Sequence, residues 1–442
     1  MDGRGDSEAR DQRASEPPPA PTESSGESTG GQAARATQVP ARFVFLDGLR
    51  GFAALCITSY HIWRYEPAPY PAAQVVPAPI AWLLEHAWIG VQMLLALSGF
   101  VIAYTLRDTV ITPRTAISFI ARRLVRLTPP VWVTIALVLI LHGVCVAWGW
   151  CPSLLDEPPT VAGVLAQMCY LQDILGYPNL SAGLWTVAIE VQFYIVFVTG
   201  WGLAQRWRRN GPSEASSQVL GTQYSVLSTQ YSVLGAQRLC HAPSGAGLLL
   251  LFGVLAAWAL FDWNLRGTNE QWVHHFLFQF FLGMVTWWAL DRTVPLLVFL
   301  GTIAVVAGQV IFDHSLTKPD IIARVVALTT ILAVFAAGRT GHLHDWLNFR
   351  WLQYLGRISY SLYLVHYPVS HLVNWLGWLA CDNSPTPIEA TAILIASLAA
   401  SIGAGDLLYL AVEVPSNRWS ARLKSQSKLA TVVSPSTQRG IA

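Results

Sequence analysis

The stretch LDGLRGFAALCITSYHIW, Leu46 to Trp63, decides how the chain is read. It is apolar enough for a first transmembrane helix, yet it carries the ionisable side chains Asp47, Arg50 and His61. An ionisable group at the centre of a bilayer costs about 2.5–3.5 kcal/mol on insertion scales. Function is therefore the default explanation for such groups, and each is a candidate site residue.

The spacing of Arg50 and His61 places both side chains on one stripe of a helix, about 16 Å apart along its axis. That face carries a permanent cation and, further along, an imidazole, the side chain best suited to accept a proton near neutral pH. A simpler arrangement fits equally well: Arg50 reaches the headgroups and His61 bonds a neighbouring helix. The pair alone does not decide between them.

The composition of the whole chain supports a membrane setting. Of 442 residues, 53% are hydrophobic and only 12% are charged, whereas a typical soluble domain has about 25% charged residues. Apolar runs of roughly 20 residues are long enough to cross a ~30 Å hydrocarbon core. We therefore predict an all-α polytopic membrane protein with ten spans, at about 43–65, 86–106, 127–149, 182–204, 246–263, 273–290, 294–312, 321–338, 351–375 and 388–411.

The distribution of lysine and arginine predicts the orientation of these spans, because cytoplasmic loops carry an excess of both. With both termini in the cytoplasm, nearly all of the 28 Lys and Arg residues fall inside. The exceptions are Arg64, Arg266, Lys318 and Arg324. The predicted location is the cytoplasmic (inner) membrane.

The polar segments define the remaining organisation. Residues 1–41 are rich in Pro, Ser, Gly and charge, and are predicted to be a disordered tail. Residues 42–420 form the transmembrane domain, with a cytoplasmic low-complexity loop at 205–245 in which TQYSVL occurs twice. Residues 421–442 are predicted to be a cytoplasmic tail. The apolar segment 160–172 is too short to cross, and is either re-entrant or interfacial.

Cysteine and histidine spacing predicts no metal site. The six cysteines include no CxxC pair, and the paired histidines His274–His275 and His342/His344 lack a nearby third ligand. Cys145 and Cys151 fall near the outer side, where a disulfide is permitted.

A carboxylate lies among apolar residues of the predicted fourth span. In GLWTVAIEVQFYIVF, Glu190 is followed one turn later by Tyr194, with Gln192 nearby. A buried carboxylate needs a partner, and none is expected within its own helix. Arg50, His61 or an arginine of another span must supply it, or Glu190 is protonated.

A basic cluster precedes the third span. In ARRLVRLTPP, Arg122, Arg123 and Arg126 lead up to Pro129–Pro130, which we expect to act as a stop. Arg123 and Arg126 share a helix face because they are three residues apart. Ordinary positive-inside anchoring explains some of these arginines, and a cluster of guanidinium groups would also suit a polyanion that bears phosphates.

These segments resemble the membrane acyltransferase 3 family, bacterial O-acyltransferases that modify cell-surface polysaccharides. Arg50 and His61 match its opening motif, an arginine followed by ten residues and a histidine. GVQMLLALSGFVIA resembles its second-span signature, which ends in Ser-Gly-Phe, and here contains Ser98. RRLVRLTPPVW resembles the family's Arg-x-x-Arg motif before the third span.

The later motifs keep the same order, so that the resemblance covers about residues 43–420. LWTVAIEVQFY resembles a Trp-Ser-x-x-x-Glu-x-x-Phe-Tyr box, with Thr186 in place of the usual Ser and Val191 where a second acid is common. YLGRISYSLYLVHYPV resembles the Gly-Arg-x-Ser-Tyr-Ser-x-Tyr-x-x-His segment, and YLAVEVPSNR the closing Glu-x-Pro. The departure at Val191 weakens any role for a second carboxylate.

The resemblance implies acyl transfer from an acyl-CoA co-substrate, usually acetyl-CoA, to a hydroxyl of a cell-envelope or exported carbohydrate or a lipid-linked sugar. We expect no other cofactor and no nucleic-acid partner. A separate extracytoplasmic transferase is expected if export of the acyl group needs one. The catalytic candidates are His61, as a general base on the acceptor hydroxyl or as a relay of the acyl group, and Glu190, which would orient or charge the His61 imidazole. The acyl-CoA-binding candidates are Arg50, Arg123 and Arg126. The substrate-lining candidates are Asp47, Ser98, Tyr194, Tyr360, Tyr363 and His366.

Two alternatives remain open on the sequence. Tyr360, Tyr363 and His366 lie three residues apart on one helix face, which could line a sugar site, although a polar seam between helices is the favoured explanation. A proton-coupled transporter or flippase also fits ten spans with intramembrane His, Arg and Glu. No convincing pair of Gly- or Pro-broken spans marks the inverted repeats that such a transporter would show.

Overall fold

Helices account for all the regular structure that we describe. The computed structural model describes residues 42–149, 155, 157–210, 247, 249–260 and 273–432, and within them every regular element is helical. A helix satisfies its backbone groups within one segment, which is why apolar runs adopt it in lipid. The α-helices are numbered in chain order: α1 (Val44–Tyr65), α2 (Pro69–Ala72), α3 (Ala78–His86), α4 (Gly90–Leu106), α5 (Pro113–Trp148), α6 (Val161–Met168), α7 (Gln172–Leu175), α8 (Leu184–Asn210), α9 (Val254–Trp258), α10 (Leu277–Leu290), α11 (Leu296–Phe312), α12 (Lys318–Thr340), α13 (Arg350–Ala380), α14 (Pro387–Leu408) and α15 (Val414–Val432).

The all-helical membrane class is confirmed, and the count of ten spans stays a prediction. Within the described residues, each of the ten predicted runs overlaps a helical segment. In the described residues, five helices are both long and apolar enough to cross a bilayer, at Ala78–Leu106, Pro113–Trp148, Leu184–Arg206, Lys318–Thr340 and Pro387–Leu423. Two further apolar helices, α10 and α11, are shorter, with 14 and 17 residues. The cytoplasmic placement of both termini also stays a prediction.

Helix α5 shows that the expected stop at Pro129–Pro130 was wrong. Both prolines lie inside a continuous helix of 36 residues, which begins well before the predicted third span. Proline lacks a backbone donor, so Pro129 and Pro130 leave the carbonyls of Val125 and Arg126, four residues earlier, without their usual intrahelical partner. The helix nevertheless continues through both prolines, as membrane helices tolerate. The arginine cluster therefore belongs to the same rigid element as the apolar part of α5.

The last helix also continues beyond its predicted end. A π-helical turn, Tyr409–Glu413, joins α14 to α15, which runs to Val432. The predicted boundary of the cytoplasmic tail at residue 421 therefore falls within a helix. The predicted tail 1–41, the TQYSVL repeats and Cys151 lie outside the described residues.

Glycines bring α1 and α13 into backbone contact. A Cβ atom on Gly51 would lie 2.5 Å from the Leu352 carbonyl oxygen, and one on Gly356 would overlap the Asp47 carbonyl. Small residues at membrane-helix interfaces allow this close approach. The two helices run in the same direction, since residues 47–51 of α1 face residues 352–356 of α13 and residue 61 faces residue 366. Their register is therefore set near the N-terminal end of α1.

The short apolar segment between α5 and α8 packs against α5. The indole of Trp132 donates to the Met168 carbonyl at 3.2 Å, and the hydroxyl of Tyr170 donates to Thr128 at 3.0 Å. Tyr170 is buried and has a positive φ of 61°. These contacts hold the segment against α5, and both alternatives for residues 160–172, re-entrant and interfacial, stay predictions.

Candidate active site

One face of α13 carries three polar side chains, and each contacts a different helix or segment. The Tyr360 hydroxyl donates to the Leu127 carbonyl of α5 at 2.8 Å. The hydroxyls of Tyr363 and Thr186 of α8 are 2.6 Å apart. The imidazole of His366 contacts that of His61 of α1. The face predicted from spacing thus exists, and it ties three helices together around α13.

The contact between His61 and His366 is the centre of the site. Nδ1 of His61 lies 2.7 Å from Nε2 of His366, and the ring centroids are 4.9 Å apart. His366 is fully buried. Its Nδ1 lies 3.3 Å from the Leu362 carbonyl oxygen of the preceding turn.

The neighbours of His366 assign the protons on both neutral rings. A carbonyl oxygen only accepts hydrogen bonds, so Nδ1 of His366 must carry the proton that faces Leu362. Nε2 of a neutral His366 is then an acceptor, and Nδ1 of His61 must donate to it. The free lone pair of His61 is consequently on Nε2. That nitrogen is placed to accept a proton from a substrate.

Tyrosines flank the imidazole pair on the side of the C-terminal end of α1. The ring centroid of His61 lies 5.5 Å from that of Tyr65 and 6.2 Å from that of Tyr367. Neither tyrosine was among the predicted site residues. The available signal was position: Tyr65 is one turn after His61 on the same helix face, and Tyr367 adjoins His366.

A cavity of about 70 Å³ holds several of the predicted residues together. Its lining combines the guanidinium of Arg50, the carboxylate of Glu190 and the hydroxyl of Ser98 with apolar side chains of α4. The remaining polar lining residues are Thr186, Ser359, Tyr360 and Tyr363. The sequence motifs of α1, α4, α8 and α13 therefore meet in one place. Neither Asp47 nor the His61–His366 pair lines this cavity.

Glu190 has a hydrogen-bond donor in its own helix, so the expectation that none would be found there was wrong. The Tyr194 hydroxyl, one turn later on α8, donates to Oε1 of Glu190. Residues four apart on a helix face each other, which makes this bond possible. The imidazole of His61 is instead bonded to His366. A second histidine thus occupies the orienting position that we expected Glu190 to fill.

The arginines of α5 face the same region of α8. The guanidinium carbon of Arg123 lies 5.0 Å from the ring centroid of Tyr194 and 5.3 Å from that of Phe119. Nε of Arg126 is buried and has no hydrogen-bond partner among the described residues. A buried, unpaired guanidinium nitrogen is an available donor for an anion. Arg122 points elsewhere and donates to Ser118 at 2.7 Å.

Other titratable clusters lie apart from this site. Within the described residues, no three His, Cys, Asp or Glu side chains are grouped so that they could hold a metal ion. In the loop after α12, Nδ1 of His342 lies 2.9 Å from Oδ2 of Asp345, and this contact lowers the pKa of the Asp345 carboxyl. Cys145 is disulfide-bonded, and its candidate partner Cys151 lies outside the described residues.

Comparison with known proteins agrees with the motifs. The sequence model described as "Acyltransferase domain" matches residues 43–406. The chain is 24% identical over 414 residues to the protein named acyltransferase MdmB of Streptomyces mycarofaciens, covering 90% of this chain and 96% of that one. It is 23% identical over 368 residues to nodulation protein 10 of Rhizobium leguminosarum bv. viciae, covering 75% and 84%. No solved structure matches the chain.

The match extends from the first residue before α1 to the C-terminal part of α14, and so includes every helix that contributes to the site. It includes the imidazole pair, the cavity with Arg50 and Glu190, and the arginines of α5. A match over most of the chain establishes the family. The chain therefore belongs to the acyltransferase 3 family and is an all-helical membrane acyltransferase.

Proposed function

We propose that the chain is an O-acyltransferase of the cytoplasmic membrane that moves an acetyl group from acetyl-CoA to a hydroxyl of a cell-envelope or exported carbohydrate. The observation that carries the proposal is the pairing of His61 with His366, which leaves Nε2 of His61 as a base. A positioned histidine base is what activation of a hydroxyl requires. The region of Arg50, Arg123 and Arg126, on one side of the imidazole pair, suits the acyl donor acetyl-CoA.

The donor binds on the side of Arg50 and the α5 arginines. Acetyl-CoA has a phosphate-rich head, which guanidinium groups bind strongly through charge-assisted hydrogen bonds. Arg123 and Arg126 lie at the N-terminal part of α5, and the buried Nε of Arg126 is free to donate. Arg50 lines the cavity with Glu190 and Ser98, and serves the arm of the donor that carries the thioester.

The reaction needs no external oxidant or reductant. Nε2 of His61 takes the proton of the acceptor hydroxyl while its oxygen attacks the thioester carbonyl carbon. A C–O bond forms, the C–S bond breaks, and the CoA thiolate leaves. The proton on His61 then passes to the thiolate, so that the products are an acetyl ester and CoA. Direct transfer makes a separate extracytoplasmic transferase unnecessary for the chemical step.

The test compares wild type with His61→Ala in purified full-length protein supplied with radiolabelled acetyl-CoA. We expect His61→Ala to lower CoA release by about 10²–10⁴-fold, the usual contribution of a general base. The matched control is His314→Ala, which removes an exposed imidazole from the loop between α11 and α12. Wild-type rates in His61→Ala would refute the role of His61. Equal losses in both variants would point to misfolding instead.

A further inference from the structure

A second, larger cavity lies beside the imidazole pair. It has a volume of about 760 Å³, within the usual range for small-molecule sites of about 300–1,000 Å³. Two of its walls are the end of α1 and the middle of α13, which contribute Tyr65 and Tyr367. The other wall is the segment between α5 and α8, which contributes Thr160, Tyr177, Asn179 and Ser181.

The position of this cavity along α1 separates it from the donor side. Arg50 lies about 16 Å before His61 along the helix axis, and Tyr65 lies about 6 Å after it. The rings of Tyr65 and Tyr367 contact each other with centroids 6.1 Å apart, and both contact the ring of His61. Along α1, His61 therefore lies between the cavity that contains Arg50 and the cavity that contains the two tyrosines. Neither imidazole lines the second cavity, because the rings of Tyr65 and Tyr367 lie between it and His61.

The lining favours a neutral ligand with many hydroxyl groups. Among the described residues that line the cavity, none is a lysine or an arginine, so nothing there would neutralise a phosphate-rich group. The one charged side chain in this lining is the carboxylate of Glu157, which repels anions and accepts hydrogen bonds from hydroxyl groups. Tyrosine rings offer flat apolar faces with polar edges, which suit the faces of a sugar ring. The amide of Asn179 adds both a donor and an acceptor group.

One polar atom in the cavity wall lacks the partner that its burial demands. Ser181 is 2% exposed, and its hydroxyl has no hydrogen-bond partner in the described part of the chain. Buried hydroxyls are normally paired, so an unpaired one that lines a cavity is suited to a ligand hydroxyl. This observation is independent of the aromatic lining, and it points to the same class of ligand.

We propose that this cavity, walled by Tyr65, Tyr367 and residues 157–182, binds the carbohydrate acceptor and presents one of its hydroxyls to Nε2 of His61. The inference rests on the proposed function. The sugar stacks on the tyrosine rings, and the Ser181 hydroxyl bonds one of its oxygens. Because the side chain of Tyr65 is 56% exposed, it can turn aside to let the reacting hydroxyl reach the imidazole.

The test uses full-length protein in the native cells from which the chromosomal copy is deleted. Cells are fed labelled acetate, and alkali-labile acetyl groups are counted in envelope and exported material. Ala182→Trp fills the cavity, Tyr65→Ala removes a stacking ring, and Tyr65→Trp keeps one. The control is Tyr70→Ala, which removes a tyrosine that is 87% exposed on α2 and lies outside the cavity lining. Binding of acetyl-CoA to each purified variant is measured by isothermal titration.

We expect Ala182→Trp and Tyr65→Ala to lower the ester label at least tenfold, while Tyr65→Trp and Tyr70→Ala stay within twofold of wild type. Both low variants should still bind acetyl-CoA with wild-type affinity, which shows that the protein is folded. Wild-type labelling by both Ala182→Trp and Tyr65→Ala would overturn the acceptor site and leave the proposed function intact. If the wild-type protein itself neither binds acetyl-CoA nor restores the label, the proposed function fails, and the acceptor site fails with it.

Discussion

At the scale of single residues, His366 has the contacts of a positioning group. It touches the His61 imidazole through Nε2, and its other nitrogen faces a main-chain carbonyl. A histidine held in this way fixes the tautomer and the ring angle of its partner, as outer hydrogen-bond partners do for metal-bound histidines. Glu190 was expected to have this role, and its bond with Tyr194 instead connects it to the arginine side of the site.

Replacement of His366 should reduce activity without abolishing it. In His366→Ala, Nδ1 of His61 loses its acceptor, and we expect CoA release to fall about 10–100-fold, in the range that second-layer partners contribute. His366→Gln supplies an amide oxygen that can accept the same hydrogen bond, so it should recover much of the rate. The rate of CoA release is measured as a function of pH for each variant. Loss of the hydrogen bond from His61 to His366 should change the apparent pKa of the His61 base, whereas unfolding would lower the rate equally at every pH.

Which of the predicted residues lie near one another was largely predictable, and how they pair was not. The spacing of Tyr360, Tyr363 and His366 predicted a shared face, and the motifs pointed to Arg50, Ser98 and Glu190 of the cavity. The two imidazoles that touch are 305 positions apart in sequence. A contact between helices depends on how they pack, which periodicity within one helix does not report.

At the scale of helices, the α1–α13 interface sets the position of the imidazole pair. Gly51 and Gly356 let the two backbones meet, and that contact lies two to three turns before His61. Sequence patterns located both helices but gave no measure of their separation. The error at Pro129–Pro130 has a different origin, because the rule that proline ends a helix is drawn from soluble proteins, whereas membrane helices tolerate proline in their interior.

Gly356→Ala should separate these helices and impair catalysis. The new Cβ would overlap the carbonyl of Asp47, a main-chain atom that cannot move aside alone. Overpacking of this kind costs about 1–3 kcal/mol, and a shift of about 1 Å in a catalytic group can cost about 10²-fold in rate. Melting temperature in detergent and CoA release are the two measurements.

Gly403→Ala is the matched control for that prediction. Gly403 lies on α14, and a Cβ there would meet nothing within 4 Å. Alanine is a better helix former than glycine by about 1 kcal/mol, so this variant should be as stable as wild type or more so. If Gly356→Ala behaved like Gly403→Ala in both measurements, the close approach would not set the register of α1 and α13.

At the scale of the whole molecule, the parts of the site follow one another along the axis of α1. The arginines lie toward the N-terminal ends of α1 and α5, the imidazole pair lies further along α1, and the tyrosine cavity lies at its end. If the arginine side faces the cytoplasm, acetyl-CoA reaches the site from the compartment that contains it. The carbohydrate then approaches from the outer face. The proposed reaction therefore depends on the orientation predicted from the lysine and arginine distribution.

That orientation can be measured with single cysteines in two loops on opposite faces. Ser315→Cys lies in the exposed loop between α11 and α12, and Asn348→Cys lies in the exposed loop between α12 and α13. Both are introduced after all six native cysteines of the chain are replaced by alanine, so that each variant carries one thiol. A membrane-impermeant maleimide should label Ser315→Cys in intact cells and Asn348→Cys only after permeabilisation, because Arg339 and Arg350 flank the second loop. Equal labelling of both loops in intact cells, or the reverse pattern, would place the arginines outside and contradict a cytoplasmic donor.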